Sequence, residues 1–345
     1  MNRVNNMKYI IDVPDGIHKK ITKLIADGEY ATMQDFALIA IQNQFLIEDT
    51  STVGNSYKEK YGIVDSITLN PKETRWSSPD KINKLKIRTL TSSIKSYDWL
   101  FGQVNRVLPI KFGLRILISY LEEYGSELDL DWFLEKAADQ AREFGIILKK
   151  REDEKNLLRY EKISIGFPIG NEEKSLNRYK SHFLGYKQLK TDHSVGALPE
   201  LGFAVISQGN NGENKISITD GGLQFGLLEN PVIDGNYLEK SISNEESSFY
   251  LQHILKHAPG EVKALGMIIS MIYENLNQPN KMNDEIAKRY PKWSKAKCVT
   301  NRSGAIGRAV DLGLVQRNRK GNEVTYQLSY IGNSIYEKHF KQIDF

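Results

Sequence analysis

The residues in this chain best suited to chemistry are cations, and they are unevenly placed. Residues 281–320 carry eleven Lys or Arg against three Asp or Glu. Within that stretch Lys295, Lys297, Arg302, Arg308, Arg317, Arg319 and Lys320 are interleaved with Thr300 and Asn301. Ammonium and guanidinium groups gathered in this way make a surface for a polyanion. Guanidinium adds paired, directional hydrogen bonding to planar acceptors. Arg317, Arg319 and Lys320 share one tight polar turn, Arg317-Asn318-Arg319-Lys320-Gly321-Asn322. A second basic stretch, 146–190, has eleven Lys or Arg against six Asp or Glu and includes Arg178, Lys180 and Lys187.

Other reactive spacings carry less. His253-Ile-Leu-Lys-His257 sets two imidazoles one helical turn apart, as zinc-binding helices do, but the glutamate of the metalloprotease signature is missing and no third ligand is near in sequence. The pair reads as a helix-surface pair without metal. The segments 166–170 and 209–212 are glycine-rich, yet match neither a phosphate loop nor a dinucleotide fingerprint. Cys298 lacks a catalytic setting and reads as a packed thiol. Acidic pairs such as Asp284-Glu285 are common in so charged a chain. No nucleophile, base and acid can be grouped, so the expectation is a protein that is not an enzyme and needs neither metal nor cofactor.

Bulk properties bound the rest. A chain of 345 residues is too long for one ordinary core and predicts two or three domains. It is 40% hydrophobic and 26% charged with a net charge of +4, which reads as globular. No apolar run reaches 18 residues, so no membrane span is expected. The first residues lack a signal-peptide core, and a single cysteine fits a reducing compartment. The expected location is the cytoplasm.

The elements that must position the cations follow from periodicity. Residues 260–275 carry Val262, Leu265, Ile268, Ile269 and Ile272 at helical spacing. A second helix starts near Asn280, with Asn283 as a plausible cap, and a third ends at Asp311 with Val299, Ile306 and Val310 inward. Lys295, Lys297, Thr300, Asn301, Arg302 and Arg308 lie away from that stripe. Next come Leu312-Gly313, an alternating strand, the basic turn, a second strand and a Ser329 cap. The same pattern occurs upstream: Leu201-Gly202, a polar turn over 208–213, a strand and Thr219. Helix, strand, hairpin, strand, helix resembles the winged helix-turn-helix family, well in the second copy and less so in the first.

That resemblance implies double-stranded DNA as the partner. The third helix would enter the major groove and the hairpin would touch the adjoining backbone or minor groove. Asn301 and Arg302 would read adenine and guanine edges, while Arg317, Arg319 and Lys320 would meet phosphates. A basic turn can equally be a solvated hairpin; its coincidence with a basic third helix argues for the interface. The first copy departs from the pattern. Its helices at 108–125 and 128–145 are sound, but the third, 193–202, is short and contains Pro199. A basic helix at 172–190, bearing Arg178, Lys180 and Lys187, either replaces it on DNA or belongs to a scaffold that binds a protein partner.

Residues 7–48 hold a strand (Lys8 to Val13), a helix capped by Asp15, a stop at Gly28 and a second helix from Thr32 bearing Phe36, Ala40, Ile41, Phe45 and Leu46. This pattern resembles the ribbon-helix-helix family, which implies an intertwined dimer. So short a unit cannot bury its apolar stripes alone. Lys8, Ile10 and Asp12 would face out of the ribbon, an unusual set for a DNA reader.

The expected whole is mainly α with small β: a ribbon-helix-helix dimerisation module (1–48), a linker (49–80), a first winged-helix-like domain with an insertion (81–235) and a second winged-helix domain (236–345). Its expected function is sequence-specific transcription regulation in a prokaryotic cytoplasm. The alternative is a non-catalytic adaptor in a DNA-processing or defence complex. If residues 7–48 dimerise the chain, deleting residues 1–48 should halve the mass measured by light scattering while most helical signal remains. A truncated chain that stays dimeric would place the interface elsewhere.

Overall fold

The computed structural model describes residues 15–26, 32, 33, 37, 85, 87–90 and 99–343, except 160, 171, 189–192, 210, 236, 237, 239 and 322. Two compact units result, Met1–Ser66 and Ile67–Phe345. In the first, helix α1 (Asp15–Ala26) forms where Asp15 and the apolar spacing predict it, and Ile21 is buried. The predicted strand at 8–13, the greater part of the second helix and the linker at 49–80 lie outside the described residues.

The second unit is mainly helical with small sheets. Helix α2 (Leu108–Tyr124) starts with Pro109 in its first turn, where no N–H is missed, and ends at Gly125. Strand β1 (Leu128–Asp129) follows, and Asp129 caps α3 (Leu130–Glu154) by accepting from the Trp132 N–H at 2.9 Å. Helix α4 (Glu173–Tyr179) continues as a π-helical turn, Lys180–Leu184. Strands β2 (Tyr186–Lys187) and β3 (Ser194–Val195) then pair antiparallel. The short α5 (Ala197–Glu200) leads into β4 (Ala204–Gln208), β5 (Asn214–Ile218) and α6 (Asp220–Leu227). The sheet order is β1-β5-β4, all antiparallel, with Leu128 opposite Ile216 and Ala204 opposite Ile218.

After α7 (Asn244–His257), which starts in a Ser243/Glu246 capping box, the second copy follows in order. It consists of α8 (Pro259–Tyr273), α9 (Pro279–Arg289), α10 (Lys295–Asp311), β6 (Val315–Lys320), β7 (Glu323–Leu328) and α11 (Tyr330–Ile335). The helix ends of this copy match the sequence reading closely. In the first copy the helix expected over 172–190 is corrected, stopping at Leu184 with Lys187 in β2, and α3 continues past the expected end at 145 to Glu154. Asn283 is a correction: it lies inside α9, whose N-cap is Gln278.

The repeat seen in the sequence is repeated in the hydrogen bonds. Thr219 Oγ1 donates to Gly202 O (2.8 Å) and accepts from the Gly222 N–H (2.9 Å). Ser329 Oγ donates to Gly313 O (2.6 Å) and accepts from the Gly332 N–H (2.9 Å). Gly202 and Gly313 end their helices at φ +74° and +71°, a left-handed conformation costly for other residues. At Gly222 and Gly332 a Cβ would lie 1.9 and 2.0 Å from the carbonyl oxygens of Phe203 and Leu314, so the strand can approach the helix only at glycine. Even the sheet edge has a counterpart. Where β1 pairs with β5 in the first copy, the second keeps one bond, from Tyr326 N to Asn277 O at 3.0 Å.

One apolar core runs from Trp99 to Phe340 through both copies. Buried ion pairs cross it. Lys111 of α2 meets Glu246 of α7 at 3.0 Å, and burial pushes its amine down to about 8. Arg115 meets Asp234 at 2.7 Å, and Arg106 meets Asp311 at the same distance. Arg308 makes two bonds of 2.7 Å to Glu261 and also donates to Val104 O. Among the described residues no helix is long and apolar enough to cross a membrane.

Removing one partner of so deep a pair strands the other charge, at a cost of about 3–5 kcal/mol. Glu261→Ala should therefore lower the unfolding free energy, measured by urea titration, by that amount. A loss below about 1 kcal/mol would show that the pair is replaceable by water.

Candidate nucleic-acid interface

Helix α10 and the β6–β7 hairpin carry the candidate surface. Ser294 caps α10 by accepting from the Lys297 N–H at 3.2 Å, and the helix runs unbroken to Asp311. Its inner side is made of small residues and polar links in place of large aliphatics. Cys298, Ala305, Ile306 and Ala309 are buried toward the core of the second copy. Gly304 and Gly307 are covered by segment 99–107: a Cβ would meet Gly102 O at 2.5 Å and Asn105 O at 2.2 Å respectively. Gly102 in turn lies against Thr300, whose hydroxyl donates back to Ala296 O at 2.8 Å.

This packing corrects the predicted facing of the helix. Arg308, expected at the surface, is 1% exposed and bound to Glu261. Arg302, expected to read a base, is 7% exposed; its Nε donates to Asn283 Oδ1 at 2.8 Å and Nη1 to the Tyr326 hydroxyl at 3.2 Å. Asn301 is buried as well, and Thr300 is half-buried. Of these four polar side chains only Thr300 is partly exposed. Val299, expected inward, is instead 43% exposed. The outward stripe of α10 consists of Lys295, Ala296, Val299 and Ser303.

The cations that remain exposed stand at the start of α10 and on the hairpin bonded to it. Lys292, Lys295 and Lys297 stand at the α9–α10 turn, with Lys297 Nζ 4.6 Å above the Trp293 ring. That turn is braced by aromatic packing: Tyr290 stacks on Trp293 at 4.2 Å and Trp99 meets both edge-on, with its indole N–H donating to the Tyr290 hydroxyl. In the hairpin, Arg317 lies opposite Tyr326 and Arg319 opposite Val324. Alternation puts both arginines on the hairpin face shared with Val315 and Tyr326, the face to which α10 reaches through Arg302. The ion pairs of this stretch join Glu285 to Lys288 and Arg289, and Glu261 to Arg308. Lys292, Lys295, Lys297, Arg317 and Lys320 take part in none among the described residues. Arg319 donates to Gly321 O at 3.2 Å and is exposed.

The first copy offers much less. Its counterpart of α10 is α5, four residues long, and closes with the same helix-end bonds: Phe203 N to Leu198 O matches Leu314 N to Ala309 O. Arg178 is exposed, Lys180 pairs with Glu135 at 2.5 Å, and Lys187 is half-buried. Of these three cations Arg178 alone is exposed. The His253–His257 pair is also corrected: His253 is buried between Phe203 and Phe249, bonds to Leu201 O at 2.8 Å, and is pushed by burial down to about 4.

Lys292, Ala296 and Ser303 were missed by sequence reasoning. The signal for Lys292 was present in Trp293-Ser294, a ring followed by a helix cap. The phase of the helix was hidden by its glycines.

Arg302 holds three elements together, so Arg302→Met should cost about 1–3 kcal/mol of stability by leaving Asn283 and Tyr326 without their donor. Base preference of the folded variant in a binding-site selection should stay unchanged. A shift in preference at one base pair with unaltered stability would return Arg302 to the interface.

No family model, curated protein or solved structure matches the chain.

Proposed function

We propose that the protein binds double-stranded DNA through α10 and the β6–β7 hairpin, in the manner of a winged helix, and that it acts as a transcription regulator. The observation that carries this reading is the placement of the exposed cations. Lys292, Lys295 and Lys297 are exposed at the start of α10, and Arg317, Arg319 and Lys320 are exposed on the hairpin that α10 meets through the Arg302–Tyr326 bond. Such an arrangement suits a helix lying in a groove while its flanks meet the two bordering phosphate chains. Dimerisation through residues 7–48 would supply two such surfaces per particle. With Arg302, Asn301 and Arg308 turned inward, the flanking cations position the helix and carry most of the affinity.

An adaptor role is the second reading. It is favoured by the reduction of α5 in the first copy, whose hairpin carries Lys215 paired to Glu213 and offers little to a polyanion. That copy would then hold a protein partner while the second copy holds DNA.

Arg317→Ala, Arg319→Ala and Lys320→Ala together should weaken binding to every duplex alike. The slope of log K against log salt should fall in magnitude by up to about 0.9 for each phosphate that the hairpin no longer neutralises. A triple variant that binds as the parent does at all salt concentrations would reduce the hairpin to a solvated turn and favour the adaptor.

A further inference from the structure

The outward stripe of α10 has no use in the fold. Val299 sits in the second turn of the helix, 43% exposed, one turn from Ala296 on one side and from Ser303 on the other, with Lys295 at the stripe's edge. The core is supplied without it by Cys298, Ala305, Ile306 and Ala309, and segment 99–107 covers a different face at Gly304 and Gly307. An exposed β-branched residue also lowers helix propensity slightly. It is the large apolar residue of an exposed stripe whose other members are Lys295, Ala296 and Ser303.

Resting on the DNA-binding reading, we propose that Ala296 and Val299 read thymine: the protein selects duplexes whose thymine C5-methyl groups face α10 in the major groove. Each base pair except those with thymine presents only polar groups there, so an apolar side chain distinguishes thymine by contact with its methyl. Guanine is distinguished best by a paired donor such as arginine, and the arginines of α10 are internal, bound to Asn283, Tyr326 and Glu261. Ser303 can bond to any base edge and adds little selectivity. From Ala296 to Ser303 the helix rises roughly 10 Å, the length of about three base pairs.

The test uses the full chain and duplexes selected by it, each made with thymine or with uracil, which removes only the methyl. Binding is followed by fluorescence anisotropy across a salt series. Uracil should weaken binding about fourfold for each methyl buried. Val299→Ala should cut the discrimination between the thymine and uracil duplexes about fourfold, leaving the part due to Ala296, with its salt slope unchanged. The variant's fold is checked by its thermal melt, which an exposed substitution leaves in place. Equal binding of thymine and uracil duplexes by the parent would overturn the proposal while leaving DNA binding intact. So would full discrimination retained by the variant. Absence of binding to any duplex would instead sink the DNA-binding reading on which it rests.

Discussion

The bond between Arg308 and Glu261 is the contact on which the arrangement of the second copy depends. Both groups are buried, and each would be costly there alone. Arg308 extends across α10 to Glu261 at the start of α8 and, on its far side, to the carbonyl of Val104. The Tyr250 hydroxyl reaches the same carboxylate at 3.3 Å, and burial beside it raises the phenol's pKa further. One guanidinium thus ties α8, α10, α7 and the chain entering α2. With this side of α10 fixed inward, the angle of every other residue on the helix is set. Lys295, Ala296, Val299 and Ser303 are left outside because Arg308 is inside.

Element positions in the second copy were legible in the sequence to within a few residues, because caps and glycines mark them. In the first copy α3 runs on to Glu154 where an end at 145 was expected, and the helix expected over 172–190 stops at Leu184 before strand β2. Ser329 and Thr219 stand at the helix starts they predict, and Gly202 and Gly313 at the stops. The facing of α10 was not legible. Hydrophobic periodicity assigns the inside of a helix to its largest apolar residues, which here are Val299, Ile306 and Val310. Ile306 is inside as expected, but most of the observed inside is built from glycine, alanine and arginine, residues with little or no apolar weight in such a reading. A guanidinium is internal only when its partners come from elsewhere in the chain, and Glu261, Asn283 and Val104 are remote in sequence. The hairpin was read more faithfully because strand alternation needs no partner to fix its phase.

The two copies together separate what the architecture needs from what a binding surface needs. Glycine at the helix end, a hydroxyl closing onto it and glycine three residues after that hydroxyl recur with nearly the same distances. These features hold a hairpin against a helix and are indifferent to what precedes them. The preceding helix is free to vary, and it does: seventeen residues in α10, four in α5. The insertion containing α4 and the β2–β3 pair occupies the first copy where the second has only a helix, and the ion pairs Lys111–Glu246 and Arg106–Asp311 then fasten the copies together.

Segment 99–107 presses its backbone into the Gly304 and Gly307 side of α10, with the Trp99–Tyr290–Trp293 cluster at the helix's start. A helix held this way along its back cannot roll or bend to suit what it meets. Whatever docks on its open side encounters a surface already ordered, so little conformational entropy is surrendered on binding. The adjustment must come from the other molecule, and for a duplex that means its own bending and groove width. Stiffness in two glycines thereby becomes a preference for deformable partners.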